Sequence, residues 1–169
     1  MVFEVTVVNI LEIDNYLKKH FSLMFKYGSE YYSLKRYKSR FCPKYSFIAT
    51  DEPPVERKSL EKLCAQVYVG KNIPLSEVVI HIEIPDWNNP DWESYEAIRH
   101  IAVVYRDEIH FSYQEKTYWI AYSVDGTAHL SDDDGRTQTF SSCRDLFANA
   151  QIGGKSLAEI WKNVVVDSY

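Results

Sequence analysis

The stretch EIHFSYQEKTYWIAYSVDGTAHLS, Glu108 to Ser131, carries the clearest signal of architecture in the chain. Runs rich in aromatic and β-branched residues alternate with turn signals, which is the pattern of successive antiparallel strands. Asp125-Gly126 stands between two such runs and calls for a type I′ hairpin turn, whose two central residues both take positive φ. On either side of that turn the spacing predicts a meander over 101–105, 108–114, 117–124 and 127–131. After the turn Asp132-Asp133-Asp134-Gly135 a further strand follows at 137–140.

Toward the N-terminus, Phe3, Val5 and Val7 alternate with polar residues and predict an opening strand. Asp14 caps a predicted helix to about Tyr27, with the stripe Ile13, Leu17, Phe21, Met24 and Phe25, and Gly28 as its stop. A strand is expected at 45–50. A helix follows, because Leu60, Leu63, Cys64, Val67 and Tyr68 share one face and Gly70 comes after them. Val78, Ile80, Ile82 and Ile84 alternate with Glu77, Val79, His81 and Glu83 as in a half-buried strand. Asn89-Pro90 then starts a short helix to about His100. Toward the C-terminus, Ser142 with Asp145, and the capping box Ser156-Leu157-Ala158-Glu159, open two short closing helices. The expected class is α+β: an antiparallel β-meander of five or six strands, with N-terminal and C-terminal helices packed on one face. Neither a repeat nor a linker is read, and 1–169 is expected to form a single compact domain.

With 46% apolar and 25% charged residues the chain is globular rather than disordered. The N-terminal residues lack the basic start and cleavage site of a signal peptide, and no run approaches a membrane span, so a cytoplasmic location is expected. Cys42, Cys64 and Cys143 are odd in number and widely spaced, which speaks against disulfides and structural zinc. No cofactor is expected.

Charge is segregated along the sequence. Residues 26–44 carry six cations and one carboxylate, residues 77–108 eight carboxylates and two cations, and residues 125–145 five carboxylates and two cations. The basic segment interleaves Lys35, Arg36, Tyr37, Lys38 and Arg40 with further tyrosines, a mixture suited to phosphate contacts and base stacking. The acidic segment joins Asp86, Trp87, Asp91, Trp92, Glu93, Tyr95 and Glu96. That is large rigid apolar area ringed by carboxylates, as at an interface that captures a basic partner.

Catalytic motifs are fragmentary. Gly154-Lys155-Ser156 lacks the first glycine of a phosphate loop, where Asn149 stands. His81 and Glu83 have a zinc deaminase's local spacing but no downstream Cys-x-x-Cys. The three aspartates 132–134 lack the remaining ligands of a calcium loop, and no cysteine has a partner at a spacing that singles out a dyad. The function expected is therefore a non-catalytic inhibitor module that binds a basic, nucleic-acid-acting protein, such as a toxin immunity protein or a phage-type inhibitor of a defence nuclease. The alternatives are a small enzyme built on His81, Glu83 and His110, and a nucleic-acid-binding domain using residues 26–45.

Overall fold

The computed structural model describes residues 10–38, 43–70, 72–79, 82 and 90–169, with backbone alone at 90 and 91. The chain divides into two compact units, Met1–Asn89 and Pro90–Tyr169. No helix among the described residues is long and apolar enough to cross a membrane. Each unit is α+β and centred on an antiparallel meander.

The first unit opens with helix α1 (Ile10–His20) and continues into strands β1 (Ser22–Tyr27), β2 (Glu30–Tyr37), β3 (Lys44–Ala49) and β4 (Val55–Arg57), paired in that order. Helix α2 (Leu60–Gln66), a small hairpin of β5 (Tyr68–Val69) and β6 (Ile73–Pro74), and helix α3 (Leu75–Val78) follow. Ile13 and Leu17 of α1, Leu60 and Leu63 of α2, and Leu75 and Val78 of α3 pack in one core with Leu23, Phe25, Tyr32, Leu34, Tyr45 and Phe47 from one sheet face. The other face is also buried at Met24, Tyr31, Ser33, Ser46 and Ile48.

The second unit begins with a 3-10 turn (Pro90–Glu93) and helix α4 (Tyr95–Tyr105), which precede β7 (Ile109–Tyr113), β8 (Lys116–Tyr122), β9 (Ala128–Asp132) and β10 (Thr137–Phe140). Next come α5 (Cys143–Asn149), a hairpin of β11 (Gln151–Ile152) and β12 (Lys155–Ser156), and α6 (Leu157–Ile160). Last, β13 (Val165–Ser168) pairs antiparallel with β7 and gives the sheet order β10-β9-β8-β7-β13. Only one face of this sheet is buried, through Ile109, Phe111, Tyr113, Tyr118, Ile120, Ala128 and Leu130.

Both units thus follow one plan: an eleven-residue helix, a four-stranded meander, a seven-residue helix, a two-by-two hairpin and a four-residue helix. The correspondence reaches single residues. Phe25-x-Tyr27 and Tyr32 match Phe111-x-Tyr113 and Tyr118, with a two-residue turn between in each case. Phe25 stacks on its cross-strand partner Tyr32 at 5.6 Å between centroids, and Phe111 on Tyr118 at 5.4 Å. Ser59 and Ser142 cap the equivalent helices α2 and α5, and Leu75-x-Glu77-Val78 matches Leu157-x-Glu159-Ile160. Each long helix even ends at a non-glycine residue in the left-handed region, Phe21 (φ 65°) and Arg106 (φ 59°). The expectation of no internal repeat gives way to a duplication of structure.

Several local expectations change. The predicted helix from Asp14 to Tyr27 is instead α1, a break at Phe21, and the strand β1. Asp14 lies inside α1 and pairs with Lys18 at 2.5 Å, while Gly28 sits in the β1–β2 turn. The apolar residues 21–25 fit a helical stripe, but Leu23 and Phe25 are used with period two against Leu34 and Tyr32. Glu77 and Val78, expected to open a strand, instead close helix α3, whose Leu75 and Val78 are buried, and residues 80, 81, 83 and 84 of that expected strand lie outside the described residues. His81 and Glu83 lie outside the described residues, as does the predicted opening strand. Residues 101–105 are helical because Ser94, not Asn89, caps α4 by accepting from the Ala97 N–H at 3.3 Å. At Asp125-Gly126 only the glycine has positive φ, so the expected I′ turn is a longer loop. The two-residue turn with both φ positive is Gln114-Glu115.

Candidate binding surface

The expected acidic-aromatic patch does not present its aromatic residues outward. Trp92 is 6% exposed. Tyr95 is half-buried, donates its hydroxyl to the Phe147 carbonyl at 2.9 Å, and packs edge-on to Trp161. The Glu93 carbonyl accepts the Trp161 indole N–H at 2.9 Å. Glu93 and Glu96 are exposed; Asp86 and Trp87 lie outside the described residues, and at Asp91 only the backbone is described.

In the basic-aromatic segment, three of the five described rings are likewise buried: Tyr31, Tyr32 and Tyr45. The cations lie against aromatic rings of their own unit, Lys26 over Tyr31, Arg36 over Tyr45 and Lys38 over Phe21. Tyr37 is the exposed ring of this group, beside the half-buried Lys35 and Arg36 and the exposed Lys38, while Arg40 lies outside the described residues. The Tyr45 hydroxyl donates to Asp14 at 2.5 Å and accepts from Arg36 at 3.3 Å. Burial pushes the Asp14 carboxyl up, but hydrogen bonds from Lys18 and Tyr45, with the charges of Lys18 and Arg36, outweigh it and hold the group below the ordinary carboxylate range.

The outer face of the second unit's sheet has a different character. Strand alternation places His110 and Ser112 (β7), Thr117, Trp119 and Ala121 (β8), His129 and Ser131 (β9), and Thr137 and Thr139 (β10) on it, and none of these is buried. One cross-strand row runs His110, Trp119, Ser131, Thr137, so Trp119 stands on the middle strand between imidazole and hydroxyl. Neighbours are tied laterally. His110 pairs with Glu108 at 3.0 Å, Ser112 donates to Asp167 at 2.8 Å, and Ser131 meets Thr137 at 2.9 Å. His129 contacts Ser123 through Nε2 at 2.9 Å and Thr139 through Nδ1 at 3.1 Å. Glu108, Asp133 and Asp167 border the face, and its strand positions include no lysine or arginine.

This arrangement is poor in reactive chemistry. The Ser123–His129 pair is completed by the neutral hydroxyl of Thr139 rather than by a carboxylate that would stabilise an imidazolium. Burial pushes the Cys64 thiol up to about 11, with the Glu61 charge adding to it, and burial also raises Cys143. Neither is an activated nucleophile. The carboxylate oxygens of Asp132, Asp133 and Asp134 lie within 4.8 Å of one another. Asp132 accepts the Arg136 backbone N–H at 2.9 Å, Asp133 accepts from the Thr117 N–H, and Asp134 pairs with Lys116, so each carboxylate has a bond that holds the β9–β10 turn. Gly153-Gly154 is the turn of the β11–β12 hairpin, and the Ser156–Glu159 capping box opens α6.

The row centred on Trp119 was within reach of sequence reading, since the residue between Tyr118 and Ile120 must face away from them. Comparison with protein-family models, with curated proteins and with solved structures finds no match for this chain.

Proposed function

We propose that the chain is a non-catalytic protein-binding module that captures a basic, nucleic-acid-acting protein in the cytoplasm and neutralises it, as a toxin immunity protein or a phage-type inhibitor of a defence nuclease does. The observation that carries this reading is the division of charge between the units. The first has twelve lysines and arginines against eleven carboxylates, and the second has seven against thirteen. A local charge of −6 on an 80-residue unit steers a cationic partner and repels nucleic acid. Burial of the tyrosines in the basic segment removes most of the stacking platforms that the nucleic-acid reading needs. For the enzyme reading, His110 is paired with Glu108, and its two expected partners fall outside the described residues.

The test is affinity capture on the immobilised full chain in extract of its native host, followed by purification of what is retained. The expected partner is a basic protein whose nucleic-acid-directed activity falls when the chain is added and whose binding competes with DNA or RNA. Retention of nucleic acid itself, or of partners without basic character, overturns the reading.

A further inference from the structure

The two units share a plan, so residues that merely build the scaffold should look alike in both, and those that do not call for another explanation. The match of Phe25, Tyr32 and Leu34 to Phe111, Tyr118 and Ile120 makes Ser33 the counterpart of Trp119. Ser33 is completely buried, as is Ser46 across the same sheet face. At the equivalent site the second unit has the largest side chain available, and it is partly exposed. The meander forms in the first unit without an aromatic ring at this position, so Trp119 is not required to build it. A tryptophan held by a rigid middle strand, flanked by polar groups that hydrogen-bond one another, has the form of an interface anchor, because little conformational entropy is lost when it is covered.

Charge identifies what covers it. The face is bordered by Glu108, Asp133 and Asp167, and no cation occupies its strand positions. A guanidinium or ammonium laid over the indole would meet the negative ring face while staying within reach of carboxylates on two sides. We infer that the outer face of the β7–β10 and β13 sheet is the docking surface for an arginine- or lysine-bearing segment of a protein partner, with Trp119 as its anchor. The inference rests on the function proposed above and assigns that function's surface.

The experiment uses the full chain, 15N-labelled, and an octa-arginine peptide as the probe, at low salt, with octa-glutamate as control. The indole N–H resonances of the tryptophans report separately. Octa-arginine is expected to shift the Trp119 resonance and to leave that of the buried Trp161 in place, and Trp119→Ala is expected to weaken binding about tenfold. Glu108→Gln with Asp167→Asn, which keeps the face's shape, is expected to weaken it several-fold and serves if Trp119→Ala does not fold. Binding that persists in both variants, with shifts elsewhere in the second unit, overturns this surface and leaves the basic-partner reading standing. If octa-arginine does not bind the wild-type chain at all, both fail.

Discussion

If the stacked pairs Phe25–Tyr32 and Phe111–Tyr118 are the same structural element used twice, removing either phenylalanine should cost each unit a similar amount. Phe111 is fully buried, stacks on Tyr118 with an interplanar angle of 16°, and lies 5.5 Å from the Trp161 ring. Truncation to alanine removes a ring from a close-packed site that only partly relaxes, a change worth about 3–5 kcal/mol. With a urea m-value of about 2 kcal/mol per molar, the midpoint should fall by roughly 1.5–2.5 M. Phe25→Ala should produce a shift of the same size from the other pair, where Tyr32 also packs on Phe47 at 5.4 Å. Far-UV circular dichroism through a urea titration supplies the measurement, with Val124→Ala as the control, since Val124 is fully exposed and its loss should stay within about 0.5 kcal/mol. If either alanine variant is too unstable to purify, Phe→Leu at the same position should give a smaller loss in the same direction. A loss below about 1 kcal/mol at Phe111, with a large one at Phe25, would refute the equivalence of the two stacks.

Three other consequences are open to direct measurement. Ser156→Ala should destabilise the chain by about 0.5–2 kcal/mol in the same titration, because the Ser156 side chain accepts the Glu159 N–H while Glu159 accepts the Ser156 N–H in return. Asp14, whose folded carboxyl is held below its unfolded value, contributes stability that is present above about pH 4 and lost as pH falls through the folded value. Asp14→Asn should therefore flatten that acid limb of a pH-dependent melt. Cys64, with its thiol pushed up to about 11 by burial and then by the Glu61 charge, should resist iodoacetamide at pH 8 in the native chain and react promptly in urea.

The parts of the fold that are legible in the sequence are those fixed by local rules. Strands β7 and β9 alternate clearly, and Ser142 and Ser156 cap the helices they precede, with Glu159 completing the second cap from the first turn of α6. Expectation and structure part where two periods compete. Residues 21–25 satisfy a helical stripe as well as a strand, and what separates α1 from β1 is the left-handed backbone at Phe21, a conformation that a phenylalanine does not announce. Hydrogen bonds from the Phe21 N–H to Leu17 and from the Arg36 N–H to the Phe21 carbonyl hold it there. The duplication is hidden because matching residues are offset by 86 at the Phe-x-Tyr pairs but by 83 at the capping serines, so no fixed period runs through the chain. At the candidate surface, composition locates the acidic character within the sequence but does not tell which tryptophan is turned inward. Trp92 lies among carboxylates yet is buried, whereas Trp119, in a strand rich in apolar residues, is on the partly exposed face.

Recruitment of a basic protein partner by the acidic second unit is best measured by isothermal titration of the full chain with the purified partner retained in the capture experiment, at 50 and 300 mM salt. Attraction to exposed carboxylates is screened as the Debye length shrinks, so affinity should fall several-fold or more at the higher salt. An affinity that does not change with salt would contradict recruitment by charge.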